Sequence, residues 1–431
     1  MIAFKLWIER IALVAMLLVT PGLLEGRALA DVFLTVVAIL FLIDCAASRR
    51  WRWLREGWVP FAGAWWIWEM LCSLPAPPIL HGSWPSFVQA AVMVRFFVFA
   101  AALEFWLLSE ARRRVWLRWV VQAVAFYIGI NCIWQWLTGK NFFGDGRFVD
   151  GELTGPFFKP RAGPELVRIL FPALLPPVMT MIERRAWLWR IGGLALAAIG
   201  IAVMILIGQR MPALLTGLGL VVSAILLPRL RPVAIGAIVI GGIVLAASPV
   251  ISPPTYYRLV EKFSRQMDHF QTSPYGYLWR RADEMTEQNP IFGLGFNGFR
   301  RDCPEPRYFV GWSKMPGHDG GGAAICKIHP HNFYTQASTD GGYPGLVLFS
   351  LMCLAWLWGV GRGLWGSPNP LRVGLFAACL IHLWPIASTS AFTAMPVSGY
   401  FFVMLGWGLA ETRWGQKPPA REAKRGSHPV A

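Results

Sequence analysis

Runs of about 20 consecutive apolar residues, parted by short arginine-rich connections, recur along most of this chain. In hydrocarbon every backbone N–H and C=O must be satisfied within the segment, so such runs are restricted to helices crossing a bilayer. Reading windows of that length places spans near 5–24, 29–47, 57–74, 86–108, 116–137, 163–182, 188–207, 211–227, 232–250, 343–361, 371–388 and 395–411. The expectation is an all-α polytopic membrane protein with about twelve transmembrane helices. Composition agrees: of 431 residues 55% are hydrophobic and 15% charged, against roughly 25% charged in soluble domains. The net charge of +16 does not point to nucleic acid, because the basic residues lie in short clusters between apolar runs and not along one soluble face. Ile11 to Leu24 followed by Ala28-Leu29-Ala30 mimics a secretory signal, but Glu25 and Arg27 interrupt it and the apolar run restarts after Asp31. An uncleaved first span is expected.

Lys and Arg gather in cytoplasmic loops, which sets the orientation. Arg49, Arg50, Arg52 and Arg55 share one connection, Arg112, Arg113, Arg114 and Arg118 the next on that side, then Arg184, Arg185 and Arg190, then Arg229 and Arg231, then Arg362 and Arg372. The opposite connections from Pro75 to Trp84 and from Ser388 to Met395 carry neither residue. Both termini are therefore expected in the cytoplasm. The resulting division is a nine-span bundle over 1–250, a periplasmic loop subdomain over 251–342, three spans over 343–411 and a basic cytoplasmic tail over 412–431. The tail reads as a disordered segment lying against anionic membrane lipids.

Two outer segments are long enough to hold a site. Thr138 to Arg161 is broken by glycines that mark turns. Residues 251–342 are too polar to span and too long to be an idle connection, so a small, partly helical subdomain is expected there. Of seven cysteines, only Cys303 and Cys326 fall on the outer side; whether they are bonded is left open by the sequence.

The titratable chemistry gathers at the end of that subdomain. Asn332 is a good helix N-cap, Phe333 to Asp340 makes about two turns, and Gly341-Gly342 stops them before Pro344 opens an apolar helix. His331 then stands at a helix N-terminus, a corner that favours an anion and holds a group able to exchange a proton near neutral pH. Arg210 lies in an outward-facing turn where orientation rules would not place it; it is either a phosphate contact or an arginine reaching to lipid headgroups. Lys159, Arg161, Arg168 and one of Arg280 and Arg281 would complete a basic ring, the alternative being solvated loop cations. Arg95 and Glu69 stand at comparable depth and read as a buried structural pair. His329 and His331 could ligate a metal, but no outer Cys, Asp or Glu supports them at a ligand spacing and His318-Asp319 sits in a glycine-rich stretch, so no metal is expected. His382, inside an apolar run, reads as a packing histidine.

These residues resemble the O-antigen ligase family, whose members share a C-terminal region with O-antigen polymerases. The family pattern is His, then Asn, Ser or Gln, nine residues, Gly, two residues, and Gly, Thr or Tyr. His331-Asn332, the nine residues through Gly341, then Gly342, Tyr343-Pro344 and Gly345 match it. Arg210 and Leu214 match a second feature, an Arg followed four positions later by Leu. Pro290-Ile291-Phe292-Gly293-Leu294-Gly295 is similar to the family's Pro-x-Phe-Gly-x-Gly loop. The likeness covers the chain from about Phe126 onward.

The resemblance implies a GT-C-like glycosyltransferase of the bacterial inner membrane that works at the periplasmic face without cofactor, metal or nucleotide. Its donor would be an undecaprenyl-diphosphate-linked glycan and its acceptor lipid A–core or another glycan. His331 would be the general base and Arg210 would stabilise the leaving diphosphate, with Arg280, Arg161, Lys159 and Arg168 as further donor contacts. Two departures stand out. Many relatives carry an Arg shortly before the Trp that starts the loop helix, where this chain has Tyr275 and Gly276 before Trp279, and Arg161 stands where many have Asn. An O-antigen or exopolysaccharide polymerase is the alternative enzyme, and a lipid-linked glycan transporter is the alternative of another class.

Overall fold

The computed structural model describes residues 2–79, 81–309, 326 and 329–415. His318, Asp319 and the tail from residue 416 onward lie outside the described residues. The helices in chain order are α1 (Ile2–Glu25), α2 (Arg27–Ser48), α3 (Val59–Cys72), α4 (Trp84–Phe105), α5 (Ala111–Thr138), α6 (Ala162–Ile182), α7 (Trp187–Leu206), α8 (Arg210–Leu226) and α9 (Arg231–Ile251). They continue as α10 (Pro253–Tyr256), α11 (Lys262–Asp268), α12 (Pro274–Gln288), α13 (Gly298–Asp302), α14 (Phe333–Gly361), α15 (Pro370–His382) and α16 (Val397–Trp414). Local chemistry sets their limits. Before α15 the Asn369 side chain accepts from the amides of Leu371 and Arg372, with Pro370 at the first helical position. Gly139, left-handed at φ 81°, closes α5.

By length and composition, eight of the described helices could cross a membrane, namely α1, α2, α4, α5, α6, α7, α9 and α14, while α8 and α15 are shorter apolar helices. The remaining two expected spans, 57–74 and 395–411, correspond to the 14-residue α3 and to α16. α16 is buried along almost its whole length, between α4, α6, α14 and α15. Its Gly399, Gly406 and Gly408 lie against Leu23, Leu103 and Val360, the close approach that small residues permit between membrane helices.

The ion pairs sort the molecule into two ends. Arg413 joins Glu104 and Glu56 at 2.9 Å each, Arg114 joins Glu411 at 3.3 Å and Arg113 joins Glu9 at 2.5 Å, tying the start of α1, the connection after α2, the α4–α5 junction and the end of α16 together. At the opposite end the Leu153 amide donates to the Ile207 carbonyl at 3.1 Å and the Phe296 amide to Ser73 Oγ at 2.9 Å. The connection carrying Glu56 and the α4–α5 junction at Arg113 thus share one end with the close of α16, and the two long outer segments meet where Arg258 pairs with Asp150 at 2.7 Å.

The expected Arg95–Glu69 pair is not formed. Arg95 instead pairs with Asp31 on α2 at 3.0 Å. Glu69 is fully buried, faces Gly341 and lies within electrostatic reach of Asp340. Equal depth in two helices fixes height along the axis, not rotation about it.

Residues 253–309 form short helices around a core of their own, with Leu278, Ala282, Met285, Leu294, Phe299, Cys303 and Tyr308 buried together. Cys303 and Cys326 form a disulfide that fastens this core.

α14 kinks at Gly342, whose φ of 66° and ψ of −166° break the helical run. Pro344 has no N–H and the Tyr343 amide turns away to the Pro290 carbonyl at 2.8 Å, so the carbonyls of Thr339 and Asp340 lose their helical donors. The Leu294 and Gly295 amides replace them, at 2.9 and 2.8 Å. A Cβ on Gly293, itself at φ 60°, would stand 2.6 Å from the Asp340 backbone, and one on Gly342 would strike the Ile291 carbonyl. The glycine-punctuated loop and the kink are therefore a single hydrogen-bonded unit that only glycine allows.

Candidate functional site

The site is built on the first turn of α14. The Asn332 side-chain oxygen accepts from the amides of Tyr334 at 2.9 Å and Thr335 at 3.1 Å, satisfying two of the free donors of the helix start. Its amide group donates to the carbonyls of Pro385 at 2.6 Å and Ala387 at 3.3 Å, which anchors the turn to the connection between α15 and α16. His331 precedes this cap with a left-handed backbone, φ 60°, a conformation a non-glycine residue adopts rarely. Its amide donates to Nδ1 of His329 at 3.3 Å and its carbonyl accepts from the Thr389 amide at 2.8 Å. The backbone is thus held from both sides while the half-buried ring stays accessible.

Two rings flank that of His331. His329 meets it edge to face with centroids 4.3 Å apart, and Tyr275, the second residue of α12, does so at 5.9 Å. Burial, and then the nearby His331, push the His329 pKa down to about 4, so His329 is neutral at physiological pH. Tyr275 also lies within electrostatic reach of Arg210. One tyrosine therefore has both the histidine and the arginine in its surroundings, and it occupies the position where the sequence lacks the expected arginine.

Arg210 opens α8 and is half-buried, with its guanidinium donating to the Gln266 side chain. The turn before it is held by Arg258, whose Nε donates to the Gly208 carbonyl at 2.9 Å and whose other nitrogens pair with Glu152 and, at 2.7 Å, with Asp150. Gln209 donates to the Pro160 carbonyl at 2.7 Å and so brings the segment carrying Lys159 and Arg161 against α8. Lys159 is exposed and Arg161, the N-cap of α6, is half-buried with Arg27 in its electrostatic surroundings.

Arg168 is placed differently from its neighbours on the rim. It is buried one helical turn or more below them, and its guanidinium donates to His382 Nδ1 at 2.8 Å, to Thr389 Oγ1 at 3.2 Å and to the Pro164 carbonyl. It thus underlies the connection that holds His331. His382 is a packing residue, stacked on Phe401 at 4.0 Å. Of the two arginines on α12, Arg281 turns into the subdomain core, donating to the Cys303 carbonyl and, at 3.1 Å, to that of Glu305, with the Tyr308 ring 5.4 Å away. Arg280 lies on the exposed face. Gly345 lies close to the Ala337 carbonyl and to Trp68, whose indole N–H donates to the Gly341 carbonyl at 2.8 Å.

Sequence reasoning did not single out Arg27, Arg258, Tyr275 as a ring neighbour of His331, or Thr389. A signal existed only for Tyr275, at the departure from the expected arginine.

Residues 195–350 match the family model described as O-antigen ligase. The match spans a little over a third of the chain's 431 residues. The matched stretch contains Arg210, Tyr275, Arg280, His331, Asn332, Gly342 and Gly345. Lys159, Arg161, Arg168 and Thr389 lie outside it and reach the matched region through the fold. No curated protein matches the chain. The match and the membrane-length helices together support a multi-pass membrane protein with a region similar to the O-antigen ligase family.

Proposed function

We propose that this protein is an O-antigen ligase that moves a glycan from undecaprenyl diphosphate onto lipid A–core at the periplasmic face of the inner membrane. The observation that carries the reading is Tyr275: its ring meets that of His331 edge to face and it lies within electrostatic reach of Arg210, which supports a general base and a phosphate-binding cation serving one site. In the reaction the imidazole of His331 takes the proton of an acceptor hydroxyl. The freed oxygen attacks the anomeric carbon of the donor sugar while the bond from that carbon to the diphosphate oxygen breaks. The electron pair leaves with undecaprenyl diphosphate, whose added charge falls to Arg210, with Arg280, Lys159 and Arg161 as further donors around it. No metal is required by this scheme, since cationic side chains do the work of charge stabilisation. Arg168 supports the His331 corner from beneath through Thr389. The Cys303–Cys326 disulfide favours placing this end in an oxidising compartment.

Purified protein incubated with an undecaprenyl-diphosphate-linked glycan, with and without lipid A–core, tests the assignment. Glycan on lipid A–core is the expected product. Elongation of the lipid-linked glycan would make the enzyme a polymerase, and no transfer to either acceptor would remove the proposal.

A further inference from the structure

A groove of about 510 Å³ opens sideways between α3, α14 and α16, within the range typical of small-ligand sites, about 300–1,000 Å³. It lies at the far end of α14 from His331: its α14 wall runs from Leu351 to Arg362, the last helical turns of a helix that starts at Phe333. Its sides are apolar and strongly exposed, with Trp358 at 74%, Leu354 at 62%, Phe61 at 44% and Leu351 at 42%. In a chain of membrane-length helices those faces meet lipid and not water.

The polar end of the groove is not a random patch. Glu104 accepts from the Trp58 indole N–H at 2.8 Å and from Arg413 Nε at 2.9 Å, and Arg413 also pairs with Glu56 at 2.9 Å. Glu56 lies 3.7 Å from Arg52, so two carboxylates and two guanidiniums close on each other. Arg362 stands at the rim outside this neutral set. Its exposed guanidinium makes no hydrogen bond or ion pair with any described residue. The leftover charge at the groove mouth is positive.

The dimensions match one leaflet. Leu351 to Arg362 is eleven residue steps, about 16 Å of helix at 1.5 Å per residue, against roughly 15 Å for half of a 30 Å hydrocarbon core. We infer that the groove binds one anionic phospholipid, its phosphate on Arg362 and an acyl chain along Phe61, Leu354 and Leu351. The other basic connections at this end favour an anionic lipid over a zwitterionic one. This site is independent of the proposed transfer reaction.

Native mass spectrometry of the full-length protein in detergent, titrated with phosphatidylglycerol or phosphatidylcholine, tests it. One phosphatidylglycerol should be retained preferentially. One arginine near a membrane surface contributes about 1 kcal/mol, so Arg362→Glu should weaken retention by roughly five-fold or more, and Arg362→Lys should keep most of it. Leu351→Trp, which fills the groove without touching the charge, should weaken retention to a similar degree. Unchanged phosphatidylglycerol binding in both Arg362→Glu and Leu351→Trp, equal retention of phosphatidylcholine by the wild type, or a second copy of the chain in place of lipid would each overturn the inference.

Discussion

The amide of Thr389 donates to the carbonyl of His331 at 2.8 Å, so the connection between α15 and α16 holds the candidate base in its left-handed conformation. Beneath it Arg168 donates to Thr389 Oγ1 at 3.2 Å. Thr389→Val keeps the amide but removes the acceptor for Arg168. Loss of one such bond is worth about 1 kcal/mol, so the turnover rate of glycan transfer should fall roughly five-fold, with the donor KM little changed. Steady-state kinetics on matched, folded protein checks this; a rise in donor KM alone would give Thr389 a binding role instead.

The two arginines of α12 should separate cleanly. Arg281 is fully buried, and burial pushes its pKa down to about 9. Arg281→Ala leaves the Cys303 and Glu305 carbonyls without their donor and should cost about 3 kcal/mol of stability. Arg280→Ala should lower thermal stability much less than Arg281→Ala and raise the donor KM. Thermal shift and donor titration of both variants distinguish the roles.

The disulfide gives a test of sidedness. Cys303 and Cys326 are 23 residues apart, and closing a loop of that size stabilises by about 3 kcal/mol in the chain-entropy model. The other five cysteines are buried and unbonded. Protein from cells blocked with a thiol reagent before reduction should show two further thiols after it, and reduction should lower the melting temperature. Free Cys303 and Cys326 in freshly lysed cells would place this end in the reducing compartment.

His329 predicts a specific pH dependence. An unfolded histidine gains its proton near 6.5, whereas burial first, and His331 second, hold the folded one at about 4. Between those values the unfolded chain binds the extra proton. The contribution of neutral His329 is therefore complete above pH 6.5 and is lost as pH falls towards 4. Melting temperatures measured from pH 7.5 to 4.5 should fall more steeply in wild type than in His329→Gln. Parallel curves would show that His329 charges freely in the folded protein.

The helix start at Asn332 and the kink at Gly341-Gly342 were legible because capping and glycine punctuation are local chemistry. What depended on rotation about a helix axis was not. Arg168, seven residues after Arg161, reads as a rim cation, yet its face of α6 points inward to His382. Glu69 reads as a partner for Arg95 and instead faces Gly341. Thr389 carried no signal at all, being a neutral residue in a short connection whose role exists only once α14 and α16 are packed. The count of membrane-length helices differs for a related reason: α3, α8 and α15 are short, and α16 has the polar run Glu411-Thr412-Arg413 in its last turn.

The roles of His331 as base and Arg210 as the leaving-group cation are tested most directly by the transfer rates of His331→Ala and Arg210→Ala. With purified protein, undecaprenyl-diphosphate-linked glycan and lipid A–core, both in the presence of a chelator, His331→Ala should slow transfer by roughly 10²- to 10⁴-fold and Arg210→Ala by roughly 10²- to 10³-fold. Near-normal transfer by either variant at matched amounts of folded protein would contradict the assignment of that residue, and near-normal transfer by both would contradict the site.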